Sequence, residues 1–316
     1  AGTYTVSAVN TTTGCAANMS GNANIVVNNL PMAYTVTGGG SYCQGGAGVV
    51  VGLSNTETGV SYQLYNGSVA DGAAIAGTGS SISFGFRTAA GTYSVLATNT
   101  STTCQAAMAG TTTIAINPLP AIYTVTGGGN YCAGGTGRAI SLAGSQTGIS
   151  YTLYRGATAV GTAVEGTGSG ITFGLQTVPG TYSVVATNNV TGCVRNMAGT
   201  TQIAIDALPA DQTITSSASS YCAGGNGVML TLGGSQSGIT YTLMNGTATS
   251  GSSVPGTGTA ISFGNRTEAG TYTVRAVNNT TGCVANMTGA ATISINPLPA
   301  PYSVTGGGAF CNGGSG

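Results

Sequence analysis

Residues 180–193 read GTYSVVATNNVTGC. The same phrase stands at 2–15 (GTYTVSAVNTTTGC), 91–104 (GTYSVLATNTSTTC) and 270–283 (GTYTVRAVNNTTGC), each time closing on a cysteine. Aligning the four copies shows which positions are fixed. Tyr182, Val184 and Ala186 alternate, and a strand places alternate residues on one face. Their equivalents keep the same identities: Tyr4, Val6, Ala8; Tyr93, Val95, Ala97; Tyr272, Val274, Ala276. The position between Val and Ala is Ser7, Leu96, Val185 or Arg275, a spread that predicts a water-facing site. The phrase is therefore a half-buried strand, with Tyr4, Tyr93, Tyr182 and Tyr272 as core residues. A tyrosine just after the glycine that bends the chain into the strand has two readings: a tyrosine corner, whose hydroxyl bonds upstream backbone, or plain core packing. In the NNVTGC turn, Thr103 replaces Gly14, Gly192 and Gly282, which predicts that no left-handed glycine is required there.

The eight cysteines, at 15, 43, 104, 132, 193, 222, 283 and 311, are separated by 28, 61, 28, 61, 29, 61 and 28 residues. The period is thus 89 or 90 residues, long for a solenoid unit and usual for a tandem β-sandwich. A second cysteine phrase alternates with the first: YCQGGAG at 42–48, YCAGGTG at 131–137, YCAGGNG at 221–227 and FCNGGSG at 310–316. Proline-bearing NNLP, NPLP, DALP and NPLP segments punctuate the repeats, and proline stiffens such short connections. These marks divide the chain into the end of one repeat (1–30), three complete repeats (31–120, 121–209 and 210–299) and the start of another (300–316). The sequence begins and ends in mid-phrase, as a window on a longer repetitive protein would.

Composition agrees with an all-β reading. Only 4% of residues are charged, yet 41% are hydrophobic, so the low charge does not signal disorder. Val, Ile, Tyr and Thr favour strands, and 55 glycines supply turns. In 121–209, YTVT, RAISLAG, ISYTLYRG, ITFG, TYSVVATN and TTQIAID predict six or seven strands in two antiparallel sheets, with GGGNYCAGGTG as turn sequence. The net charge is zero, which gives no electrostatic basis for a nucleic-acid partner. No apolar run is long enough to span a membrane.

The chain has no histidine and no lysine. That removes Ser-His-Asp and Cys-His nucleophile systems, histidine metal ligands and the phosphate loop with its lysine. The six acids occupy no position common to every repeat, and no DxD spacing suggests calcium. No catalytic residue, cofactor or metal site is expected. Zinc sites use CxxC pairs or histidines, and neither occurs, so the cysteines are expected to form disulfides in an oxidising, extracellular compartment.

Two regular pairings fit the spacing, one across the 61-residue gap and one across the 28-residue gap. The short gap holds the last strand of one repeat, the junction and the first strand of the next. If these run on in one direction, its cysteines lie tens of ångströms apart, whereas a disulfide needs Cα atoms within about 7 Å. One disulfide per repeat is therefore predicted: Cys43–Cys104, Cys132–Cys193 and Cys222–Cys283, with the partners of Cys15 and Cys311 outside the window.

The outline C-x-G-G-x-G, alternating strands, G-T-Y-[ST]-V-x-A-x-N and T-G-C resembles the repeats of giant Bacteroidetes cell-surface adhesins, including the SprB-type gliding-motility adhesins. The chain departs from them in having Asn near the final turn and SYTLYRG without tryptophan. The resemblance implies export through the type IX system and display as long surface filaments that support attachment and gliding motility. Implied partners are neighbouring repeats, other copies of the filament, and surface polysaccharide or substratum. Two other functions fit the composition: a carbohydrate-binding module array on a secreted enzyme, and a self-associating extracellular sheath.

Overall fold

The computed structural model describes residues 1–315. Every regular element is a strand, and no helix is long and apolar enough to cross a membrane among the described residues. Three hydrophobic cores follow one another, drawn from residues 36–114, 125–203 and 214–293. Each core is filled from its own stretch of chain.

The central repeat serves for all three. Its strands are β1 (Val125–Gly127), β2 (Gly129–Cys132), β3 (Arg138–Leu142), β4 (Ile149–Arg155) and β5 (Thr158–Glu165). They continue with β6 (Ile171–Gln176), β7 (Gly180–Asn188), β8 (Val194–Asn196) and β9 (Thr201–Asp206). One sheet has the order β1-β3-β6. The other has the order β2-β9-β7-β4-β5, with β8 paired to the far part of β7. This is an Ig-like β-sandwich.

All strand pairings are antiparallel except β2 with β9, where Gly129–Cys132 runs parallel to Ile203–Asp206, and a single bridge of Thr124 to Ala198 is parallel as well. The glycine run read as a turn is in fact the point where the first strand changes sheets. Val125–Gly127 pairs in one sheet, and two residues later the chain pairs in the other. The switch uses positive φ at Gly127 (87°), Gly128 (74°) and Gly129 (104°). A Cβ on Gly128 would sit 2.1 Å from the Thr201 hydroxyl and 2.9 Å from the Gln202 carbonyl oxygen. The third repeat makes the same change with Ser217, Ala218 and Ser219, none of which has positive φ. It has one more residue between Ile214 and Tyr221 than lies between Val125 and Tyr131, which accounts for the 29-residue cysteine gap.

The opening phrase folds as its alternation requires. Tyr182, Val184 and Ala186 are buried on β7, as are Tyr93, Val95, Ala97 and Tyr272, Val274, Ala276 on the equivalent strands. Fully burying a side chain of valine size stabilises by about 1.5–3 kcal/mol. Tyr4 differs: it is 55% exposed. Its strand, Gly2–Tyr4, pairs only with Ala23–Ile25, and residues 1–30 contain no counterpart of β3, β4 or β6 to cover it. The outward position also needs correction. Arg275 is exposed, but Leu96 and Val185 are half-buried.

Candidate functional site: the stapled repeat junction

No group of three or more His, Cys, Asp or Glu side chains that could hold a metal occurs among the described residues. Charges are dispersed, and the single ion pair among those residues, Arg87 Nε to Asp71 Oδ2 at 3.2 Å, belongs to one repeat. What recurs with chemical content is the junction between repeats.

Each junction brings together two rigid turns. The first ends β7. The Asn188 side-chain oxygen accepts hydrogen bonds from the backbone N–H groups of Val190 and Thr191, both at 3.0 Å. The Asn188 N–H donates to the Cys193 carbonyl, and the Cys193 N–H to the Thr191 hydroxyl at 3.4 Å. Asn side chains close turns in this way. Asn99 and Asn278 repeat the arrangement, and so does Asn10 in its side-chain bonds, even though the sheet around it is incomplete. The turn does require a left-handed residue: Gly14, Gly192 and Gly282 have φ of 70°, 69° and 72°, and Thr103 is forced to 60°. Threonine is accepted there, but in a conformation that its β-branch opposes.

The second turn follows β2. The Gly135 N–H donates to the Cys132 carbonyl, with Gly134 at φ 79°, the geometry of a type II turn. Gly45 and Gly224 occupy the same place. The N–H of Ala133 adds a bond to the Asp206 carbonyl, fixing the cysteine against the last strand of its own repeat. Tyr131 steadies this segment by donating its hydroxyl to the Thr177 carbonyl, as Tyr42 and Tyr221 do to Thr88 and Thr267.

The linker is held as well. The N–H of Ala121 donates to the Gln146 side-chain oxygen at 2.6 Å, that of Ala210 to Gln236 at 2.6 Å, and that of Met32 to Glu57 at 3.3 Å. Each gripping residue is in turn positioned by its backbone N–H, which donates to a buried tyrosine hydroxyl: Tyr62, Tyr151 or Tyr241. Arg195, on β8, donates to the Pro120 carbonyl at 3.2 Å.

Between the two turns lies the disulfide. Cys43 is bonded to Cys193 and Cys132 to Cys283, each with Cα atoms 5.5 Å apart and with sequence separations of 150 and 151. The pairings Cys43–Cys104, Cys132–Cys193 and Cys222–Cys283 are therefore wrong, and so is one disulfide within each repeat. The reason is the direction of β2. Gly129 and Gly180 both lie beside Ile203. From that level β2 carries Cys132 toward the exit of the repeat, while β7 carries Asn188 the other way. About eleven residues of strand separate the two turns, roughly 36 Å at 3.3 Å per residue, far beyond disulfide reach. The exit cysteine of one repeat instead meets the entry-end cysteine of the next. Cys15, Cys104, Cys222 and Cys311 are unpaired. Bonding also seals the site: Cys193 and Cys283 are fully buried, whereas Cys104 in the same turn is half-exposed.

The tyrosine corner is present. Tyr93, Tyr182 and Tyr272 donate their hydroxyls to the carbonyls of Ala89, Val178 and Glu268, four residues upstream, at 2.9, 2.7 and 2.9 Å. Burial raises the pKa of Tyr62, Tyr93, Tyr151 and Tyr272 above the usual phenol value.

A family model described as Ig-like domain, CHU_C associated, matches residues 209–297. No curated protein sequence matches significantly. Among solved structures, immunoglobulin domains 1–4 of Sidekick-1 align at 12% identity over 85% of this chain and 74% of theirs, with a TM-score of 0.27. The mouse nectin-like molecule 4 ectodomain (Ig1–Ig3) aligns at 14% identity over 83% of this chain and 99% of its own, with a TM-score of 0.35. The Clostridium thermocellum CbhA fibronectin(III)-like modules align at 16% identity over 58% and 100%, with a TM-score of 0.32.

Proposed function

We propose that this chain is a segment of a long extracellular array that carries tension at a cell surface and supports attachment. The observation that carries the reading is the disulfide across each junction between complete repeats. A bond inside a domain protects that domain, whereas a bond between domains protects their connection. Such bonds need an oxidising compartment. The matched Ig-like family is typical of Bacteroidetes surface proteins, which supports a place on such a surface. The finer form of the proposal is a filament exported by the type IX system and anchored at the outer membrane, with roles in adhesion and gliding motility. Its partners would be other copies of the filament and surface polysaccharide or substratum.

Of the alternatives, a carbohydrate-binding array calls for an exposed aromatic at the same place in each repeat. Phe86 is 63% exposed, but Leu175 and Asn265 stand in its place in the other complete repeats. The test is electron microscopy of native cells labelled with an antibody to 121–209. The expected result is label along surface filaments. Label confined to a soluble secreted enzyme would refute the proposal.

A further inference from the structure

The two disulfides, followed through the chain, do not close a ring within a domain. They splice separate stretches of backbone. From Cys104 the chain runs through Gln105–Ala107 and Thr112–Asn117, across the NPLP junction, then through β1 and β2 to Cys132. Sixteen residues of this stretch lie in four strands, and the chain does not turn back between them. It begins at the entry end of one repeat and ends at the exit end of the next, so it spans two repeats. At Cys132 the disulfide passes to Cys283, where an equivalent stretch starts and runs to Cys311. A second series runs Cys15 to Cys43, across the disulfide to Cys193, and on to Cys222. The two series are staggered by one repeat and lie side by side through the middle of the chain.

We infer that the staples splice these stretches into two parallel covalent strands, and that tension along the array travels through them and not through the folding cores. The intervening 61-residue segments, such as 132–193, hold β3 to β7 and most of the core, yet each end of 132–193 branches from a strand that continues past it through a disulfide. They lie outside the shortest covalent path. The path is also close to taut. Two repeats of roughly 40 Å each are spanned by 28 residues, whose strand length is about 92 Å. Little extension is available before the bonds themselves resist, so the cores do not unfold under load. Any further repeat bearing the same two cysteines would lengthen both strands by the same rule, and Cys104 and Cys222 present the two halves of the staple for it. The inference needs no assumption about what the array touches, so it and the adhesive proposal can fail independently.

The experiment is single-molecule force spectroscopy on the 316-residue chain carrying Cys15→Ser and Cys222→Ser. DNA handles are attached by maleimide to the unpaired Cys104 and Cys311 without reductant. With the Cys132–Cys283 bond intact, the path between handles is about 56 residues, a limit of about 200 Å. The expected trace rises to that limit without stepwise unfolding. Added dithiothreitol opens the path to about 207 residues, and the same molecules should then lengthen in steps to about 750 Å. Because the reduced chain is its own control, no staple-breaking variant has to fold. Unfolding steps in oxidised molecules before 200 Å would mean that the cores take the load first. Pairing within repeats would instead tie up Cys104 and leave Cys283 and Cys311 as the free thiols, giving a path of about 28 residues, a limit of about 100 Å that dithiothreitol does not lengthen. Either outcome overturns the inference.

Discussion

Removing one staple cleanly, with Cys43→Ser and Cys193→Ser together, leaves no new thiol, and its cost can be worked from the register. Cys43 sits beside Asn117, the last residue of its repeat's final strand. When the first repeat is folded and the second unfolds, the bond therefore closes a loop running from about Asn117 to Cys193, about 76 residues. On the chain-entropy relation a loop of that size is worth about 4.5 kcal/mol, and the full 150-residue separation about 5 kcal/mol. A domain of this size is stable by about 5–13 kcal/mol in all. The central repeat should therefore lose a large share of its stability, and its Tm should fall by about 20 °C or more. Tyrosine fluorescence and calorimetry without reductant provide the assay, since the chain has fifteen tyrosines and no tryptophan. The discriminating controls are Cys104→Ser and Cys222→Ser. Both residues are unpaired, so each substitution should leave Tm within about 2 °C of the parent, well under the shift expected for 1 kcal/mol. If Cys104→Ser were as damaging as the double variant, or if the double variant cost under about 1 kcal/mol, the junctional staple would not be the stabilising element argued for.

Three further outcomes are expected. Thr103→Gly should stabilise the first complete repeat by about 0.5–1 kcal/mol in denaturant titrations, because it relieves a left-handed threonine at a modest cost in unfolded-state entropy. Tyr182→Phe should destabilise the central repeat by about 1–2 kcal/mol, since it removes the corner bond and leaves the Val178 carbonyl without that partner. Burial raises the tyrosine pKa values in the folded state above the unfolded value near 10. Their contribution is therefore complete below pH 10 and is lost as pH rises through the folded values. Stability should fall only above about pH 10, with tyrosinate absorbance appearing together with unfolding.

Much of the fold was legible because the repeats supply their own comparison. Tyr182, Val184 and Ala186 could be assigned to the core from identity across four copies, and the structure buries them. The failures have specific causes. β2 was read as turn because GGGNYC is mostly glycine, yet three positive φ angles there move a strand from one sheet to the other. β5, over TAVGTAVE, carries a mid-strand glycine and has no buried residue to give it an alternating pattern. Thr103 showed correctly that its turn does not need glycine, but the left-handed conformation that threonine is forced into there was not legible. Tyr4 shows that a core identity in sequence becomes a buried residue only when the opposing strands are present.

The cysteine pairing was beyond the spacing itself for a more general reason. In a strictly periodic chain, pairing across 61 residues, across 28, or across both kinds of gap to reach 150 all repeat equally well. What separates them is which end of the sandwich each cysteine occupies. The straightness of the short stretch decides that. If Cys104 to Cys132 runs without reversal from the entry of one repeat to the exit of the next, the two kinds of cysteine lie at opposite ends of every repeat. Pairing within a repeat is then excluded as well, since its two turns lie roughly 36 Å apart against a limit near 7 Å. Only the exit of one repeat and the entry of the following repeat are adjacent. Cys43 must reach Cys193, and Cys132 must reach Cys283. GTYSVVATNNVTGC thus ends in a cysteine because its turn faces the preceding repeat, and the bond it makes is a joint between domains.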